Sequence, residues 1–138
     1  MDSVVLFRQM GLISRRAMLA MNQQAARYGL DNNLFLYLSR IVEREGLTQS
    51  DLVELVCVDK TTLSRALQKL EQEGLIVKRP HPSKKRFKQL YPTALAQMIC
   101  QELRAFEEAY IQQALALLSR DERESLSRLL TKIENAQD

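Results

Sequence analysis

A chain of 138 residues, 46% hydrophobic and 27% charged, is sized for a single domain with a core of its own, and no run approaches the roughly 18 consecutive apolar residues of a membrane helix. Two cysteines, Cys57 and Cys100, are too few for a disulfide framework and lack C-x-x-C spacing, so both are expected to be reduced and mostly buried. The net charge of +3 is modest but unevenly spread: Asp59 to Lys88 holds nine Lys or Arg against three acids, while the rest of the chain holds eleven against fourteen. A basic block in an otherwise slightly acidic chain is the footprint of nucleic-acid binding, although an acidic protein or a membrane surface would answer to the same sign. The N-terminus lacks the basic-then-apolar order of a signal peptide, so the protein is expected in the cytoplasm.

Ser3 to Tyr28 reads as a long helix stopped by Gly29. Leu6, Met10, Ile13, Ala17 and Ala20 or Met21 recur at three- and four-residue steps, while Met18 and Leu19 lie off that stripe. A helix apolar on more than one side has more than one packing partner, which favours a subunit interface. Asp31 is placed to cap a second helix carrying Leu34, Tyr37, Leu38 and Ile41 and ended by Gly46. In G-L-T-Q-S-D-L-V-E-L-V, Thr48 and Asp51 form a capping box, and Leu52, Leu55 and Val56 supply the buried stripe of a short third helix. Cys57-Val58-Asp59 is then a three-residue turn. Its first position favours a left-handed backbone, which leaves Cys57 mildly strained, and Asp59 caps the next helix.

That next stretch, Asp59 to Glu71, organises the rest. At 100° per residue Leu63, Ala66, Leu67 and Leu70 share one side of a helix, and Thr61, Ser64, Arg65 and Gln68 fall roughly opposite. The polar side offers hydroxyls, an amide and a cation, with no general base, nucleophile pair or metal ligand. Such groups suit phosphate oxygens and base edges. Two short helices joined by a three-residue turn form a helix-turn-helix, whose second helix presents its N-terminal residues to the major groove.

Glu73-Gly74 stops this helix, Leu75 to Arg79 reads as a strand, and Pro80 and Pro82 force a turn. Lys84 to Tyr91 reads as the returning strand. Six of the eleven residues from Lys78 to Lys88 are basic and none is acidic, so the hairpin is a basic finger able to reach phosphates or the minor groove. Pro92-Thr93 opens a long helix through Leu118, about 39 Å at roughly 1.5 Å per residue. Leu95, Met98, Ile99, Leu103, Phe106, Tyr110, Ala114 and Leu117 mark its apolar side. Ser119 and Glu122 form a second capping box ahead of a last helix striped by Leu126, Leu129, Leu130 and Ile133. A helix that long exceeds what one small globule needs, and with the first and last helices it is expected to build a dimerisation bundle.

Leu47 to Ile76, L-T-Q-S-D-L-V-E-L-V-C-V-D-K-T-T-L-S-R-A-L-Q-K-L-E-Q-E-G-L-I, followed by K-R-P-H-P-S-K-K-R-F-K-Q-L-Y-P-T from Lys78 to Thr93, resembles the MarR family of winged helix-turn-helix transcriptional regulators. The resemblance runs over essentially the whole chain. It implies a mainly α fold with a small β-wing in a single domain, 1–138, in which residues 30–92 form the winged helix-turn-helix and residues 1–29 and 93–138 the dimerisation helices. It further implies a homodimer on a pseudo-palindromic operator in double-stranded DNA, usually a repressor released by a small phenolic or aromatic effector or an oxidant. No cofactor, membrane or enzymatic activity is implied.

Carried onto this sequence, Lys60, Thr61, Thr62, Ser64, Arg65 and Gln68 would be the recognition-helix contacts, with Lys69 nearer the phosphates. Thr48 and Gln49 look like phosphate contacts through side chains and backbone amides. The family's wing usually carries Asp-x-Arg, in which the Asp holds the Arg that enters the minor groove. Here the triplet is Lys84-Lys85-Arg86, so Arg86 matches, its acidic partner is missing, and the wing gains charge. The family's Leu-Thr-x-x-Gly after the wing is Pro92-Thr93-Ala94-Leu95-Ala96, without the Gly.

Peroxide-sensing relatives resemble one another in a cysteine in the first helix, which this chain lacks. Cys57, beside Lys60 at the start of the recognition helix, is the position at which oxidation would disturb DNA binding directly. With His81 as the only histidine, a dedicated zinc site is not expected. An effector pocket would lie where the first, second and fifth helices meet, with Ser14, Arg15, Tyr37 and Tyr110 as chemically suitable liners. The competing readings are a winged-helix protein-interaction module without DNA binding, favoured only by the missing wing Asp, and a thiol enzyme, for which no cysteine spacing speaks.

Overall fold

The computed structural model describes residues 1–137 and divides into two compact units, residues 1–106 and the segment from Glu107 onward. In chain order the elements are α1 (Ser3–Ala25), a 3-10 turn (Ala26–Tyr28), α2 (Leu34–Glu43), α3 (Gln49–Val56), α4 (Lys60–Gln72), β1 (Ile76–Pro80), β2 (Lys88–Pro92), α5 (Ala94–Ala114) and α6 (Arg120–Asn135). The architecture is mainly helical with one antiparallel two-stranded sheet, as expected of a winged helix-turn-helix. No helix among the described residues is long and apolar enough to cross a membrane.

The first unit closes around a leucine-rich core. Leu34, Phe35, Leu38 and Ile41 of α2, Leu52 of α3, Leu63, Leu67 and Leu70 of α4, Ile76 and Leu90 of the hairpin, and Ala96, Cys100 and Leu103 of α5 are all buried in one cluster. The α4 stripe is therefore seated as its period demands, with Ala66 partly buried at its edge. Leu55 is not in the α3 stripe but 48% exposed, and Val53 packs on the cluster beside Val56 instead.

Caps set the helix boundaries. Thr48 Oγ1 accepts from the Asp51 N–H at 3.1 Å while Asp51 accepts from the Thr48 N–H at 3.0 Å, which satisfies two first-turn donors of α3. Ser119 and Glu122 repeat the device at α6. Cys57 ends α3 in the left-handed region, φ 52°, as its place in the turn predicts. Asp31 does not cap α2. The cap residue is Asn33, also left-handed, and its N–H and side chain are both held by the Asn22 side chain at 3.0 Å. Asparagine tolerates φ above zero because its short amide bonds locally, so Asn32 and Asn33 turn the chain here and α1 anchors the start of α2.

Backbone pairing between the hairpin and the segment before α3 fixes the wing. β1 and β2 pair from Ile76 opposite Pro92 to Pro80 opposite Lys88. On the other side of β2, the Gly46 N–H donates to the Leu90 carbonyl at 2.8 Å, the Leu90 N–H donates to the Leu47 carbonyl at 2.9 Å, and Thr48 bridges Gln89. The returning strand begins at Lys88 rather than Lys84, because residues 81–87 form a loop around His81. Its Nδ1 accepts from the N–H groups of Ser83 and Lys84 at 3.2 and 3.1 Å, diverting them from a ladder. Thr93 then donates to the Gly74 carbonyl at 2.8 Å and accepts from the Ala96 N–H, tying the start of α5 to the end of α4. The fifth helix stops at Ala114, short of Leu118; residues 115–117 continue as a turn and Leu118 as a bend.

The apolar residues of α1 divide sharply. Met21 and Ala25 are buried, whereas Val4, Val5, Leu6, Phe7, Leu12, Ile13 and Leu19 are exposed, Ile13 at 61%. Leu95 and Met98 of α5 are likewise exposed. In the second unit, Leu126, Leu129, Leu130 and Ile133 of α6 are exposed.

Gly46 is required where it stands. Its φ is +88°, and an added Cβ would lie 3.2 Å from the Tyr91 hydroxyl. Gly46→Ala is expected to cost about 1–2 kcal/mol from the left-handed backbone alone, read as a lower denaturant midpoint; an unchanged midpoint would mean that this segment does not hold the wing.

Candidate nucleic-acid interface

The helix-turn-helix presents the polar side of α4 and the N-terminus of α3 to solvent. Lys60, Thr61, Thr62, Ser64, Arg65, Gln68 and Lys69 are all exposed, because Leu63, Leu67 and Leu70 are fixed in the core opposite. Gln49 joins Lys60, Thr61, Ser64 and Arg65 around one shallow recess, so residues of both helices converge on a common surface. Two hydroxyls are less free than their sequence positions suggest. The Thr62 hydroxyl donates to Asp59 at 2.8 Å, leaving only acceptor capacity, and the Thr48 hydroxyl accepts from the Asp51 N–H at 3.1 Å. Ser50, a residue that sequence reasoning missed, lies with Gln49 in the first turn of α3, at its positive end.

The wing adds a second cluster. Lys84, Lys85 and Arg86 are exposed on the loop between the strands, and Arg79 lies on β1 with its guanidinium 5.0 Å from the centre of the Tyr91 ring. Lys84 lines a recess with Thr48, Ser50, Asp51, His81 and Phe87, which places the wing loop beside the start of α3. Arg86 lies 5.2 Å from the centre of the Phe87 ring, a contact invisible to spacing rules.

Two nearby acids are engaged in helix caps. The backbone N–H of Thr62, with its hydroxyl, holds the Asp59 carboxyl below the usual carboxylate range, and the Thr48 N–H does the same to Asp51. Both carboxylates complete helix caps, and among the described residues neither forms a salt bridge with a cation of α4 or the wing. Lys78 of β1 lies 3.8 Å from Glu71.

The cysteines separate. Cys100 is buried in the core and its thiol is pushed up to about 11, chiefly by desolvation and secondarily by Glu43. Cys57, expected to be mostly buried, is exposed, with its thiol 3.5 Å from the Glu54 carbonyl. Among the described residues no group of His, Cys, Asp and Glu is arranged to hold a metal. Two of the suggested effector liners, Tyr37 and Arg15, occupy different surroundings within the first unit. Tyr37 is in the core at 2% exposure, and Arg15 lines an open groove formed with Phe7, Met10, Gly11 and other residues of α1 alone.

Residues 30–88 match the MarR family model. The chain is also 34% identical over 128 residues to the uncharacterized HTH-type transcriptional regulator YybA of Bacillus subtilis, covering 93% of this chain and 85% of that protein. The chain belongs to the MarR family. Among solved structures it is similar to a putative MarR family transcriptional regulator from Listeria monocytogenes complexed with 26mer DNA, at 32% identity and a TM-score of 0.89, over 94% of this chain and 87% of that one. A SlyA-like transcription regulator from the same organism is 32% identical with a TM-score of 0.87, over 94% and 86% of the two chains. This MarR-family member is thus a transcriptional regulator rather than an enzyme.

The caps carry a pH dependence of defined sign. A carboxyl whose folded pKa is depressed stabilises the fold above its unfolded value and loses that contribution as pH falls through the folded one. Asp59 and Asp51 both fall in this class, so stability should decline below about pH 4. Asp59→Asn retains a capping side chain without a titrating charge. Its denaturant midpoint is expected to fall less than that of the unaltered protein between pH 5 and pH 3 (roughly the range spanning an ordinary Asp); parallel acid limbs would contradict the assignment.

Proposed function

We propose that the protein binds double-stranded DNA as a homodimer on a pseudo-palindromic operator, with α4 in the major groove and the wing on the flanking backbone and minor groove. The observation that carries this reading is the exposed polar face of α4, with Gln49, Lys60, Thr61, Ser64 and Arg65 around one recess. The wing loop supplies Lys84, Lys85 and Arg86 beside it, and two acids that could neutralise this surface, Asp51 and Asp59, are engaged in caps. The Arg65 guanidinium and the Gln68 amide, both exposed, are the groups suited to bidentate contacts to guanine and adenine edges. Lys60, Lys69 and the wing cations suit phosphate neutralisation. The DNA complex of the similar Listeria regulator supports DNA as the partner.

Dimerisation is supported by the apolar surface left open on the first helix. Seven large apolar residues exposed along one helix exceed the scattered singles of an ordinary monomer surface, and a second copy of the chain is the partner we assign to them. Binding at an operator that overlaps a promoter would repress transcription, and a small aromatic or phenolic effector is the proposed release signal.

Fluorescence anisotropy on a duplex enriched from a random library tests this reading. Two chains are expected per duplex at saturation, with affinity falling steeply as salt rises. Arg65→Ala should cost about 1–3 kcal/mol and relax the preference at one position per half-site, whereas Lys69→Ala should weaken all duplexes alike and lower the salt slope by about one. Failure to enrich any duplex at low salt would overturn the reading.

A further inference from the structure

Arg86 stands at the apex of the wing loop, and among the described residues no carboxylate pairs with it. A guanidinium on a free aliphatic stem samples many rotamers, and fixing it on binding costs entropy. Here the stem is not free, because the guanidinium carbon lies 5.2 Å from the centre of the Phe87 ring, within range of attraction by the ring face.

Phe87 is itself held on two sides. Its N–H donates to the Lys84 carbonyl at 2.9 Å, and its carbonyl accepts from the His81 N–H at 2.9 Å. Lys84 to Phe87 is thus a tight turn with Lys85 and Arg86 at its tip. The half-buried Phe87 also lines the recess shared by the wing loop and Thr48, Ser50 and Asp51 at the start of α3. A direction imposed on Arg86 by this ring is therefore fixed relative to the helix-turn-helix and not merely to the loop.

We propose that Phe87 is a positioning residue for DNA binding: stacked with the guanidinium of Arg86, it aims that cation at the minor groove or backbone flanking the segment read by α4. The assignment rests on the DNA-binding reading above. It gives the aromatic ring the task of restraining the wing arginine without a carboxylate, so the cation keeps its full charge for the DNA.

The test compares the unaltered protein with Arg86→Ala, Phe87→Leu, Phe87→Tyr and the Arg86→Ala/Phe87→Leu double variant, by anisotropy on the library-enriched duplex over a salt series. Thermal denaturation of each variant reports folding. Phe87→Leu should weaken binding about three-fold and lose part of the roughly one unit of salt slope that Arg86→Ala loses. Phe87→Tyr, which keeps the ring face, should bind like the unaltered protein, and Phe87→Leu should have no further effect once Arg86 is alanine. Should Phe87→Leu fail to fold, Phe87→Met removes the ring face with closer retention of side-chain length and gives the same readout. Unaltered affinity and slope in the folded Phe87 variant would overturn the proposal, as would an equal loss in the Arg86→Ala background, which would make Phe87 a packing residue only. If the unaltered protein enriches no duplex, the DNA-binding reading itself falls and the proposal with it.

Discussion

The two backbone hydrogen bonds on Leu90, from Gly46 and to Leu47, are the constraint on which the reading head depends. Leu90 is fully buried and sits in the middle of β2, so one residue joins the hairpin to the segment that immediately precedes the Thr48 cap of α3. The Gln89 side chain reinforces the joint by donating to the Gly46 carbonyl at 3.1 Å. Because Leu52, Leu63 and Leu67 share the same core, the orientation of α4 and that of the wing are set by a single packed unit. The proposed engagement of two grooves at once would need this. Independent motion of wing and helix would have to be frozen on binding, at an entropic cost for every residue ordered.

Electrostatics on this head follow from how the carboxylates are used. Asp51 and Asp59 lie within the most basic part of the fold, yet each accepts backbone N–H groups at a helix start. Such bonds stabilise the charged form and complement the positive end of the helix. The result separates function by sign at these positions: Asp51 and Asp59 hold the helices, and the exposed cations of α4 and the wing loop remain available to an outside partner. The excess of six positive charges between Asp59 and Lys88 is thereby displayed rather than cancelled internally.

Much of the head was legible in the residues alone because its signals are local. The Thr48–Asp51 and Ser119–Glu122 boxes, the left-handed Cys57 and the Leu63-Leu67-Leu70 stripe each depend on residues no more than a few positions apart. What escaped depends on contacts distant in sequence or on what covers a face. Asn22 holds Asn33 across eleven residues, which displaced the expected Asp31 cap. His81 accepts amides that a hairpin would otherwise pair, which delayed β2 to Lys88. Periodicity marked the apolar sides of the first and fifth helices but could not say that Leu6, Ile13, Leu95 and Met98 would lie exposed. The stacking of Arg86 and Phe87 is between neighbours in sequence, yet spacing rules treat the pair only as a cation beside an aromatic, with no geometry attached.

The central claim is that α4 and the wing address different grooves of one duplex. Dimethyl sulfate footprinting on the library-enriched duplex measures this directly, because the reagent methylates guanine N7 in the major groove and adenine N3 in the minor groove. The account predicts protected N7 positions in two symmetric segments about 10 base pairs apart or a multiple of that, with protected N3 positions beside them where the wings lie. Bound duplex in which no guanine N7 is protected would contradict it.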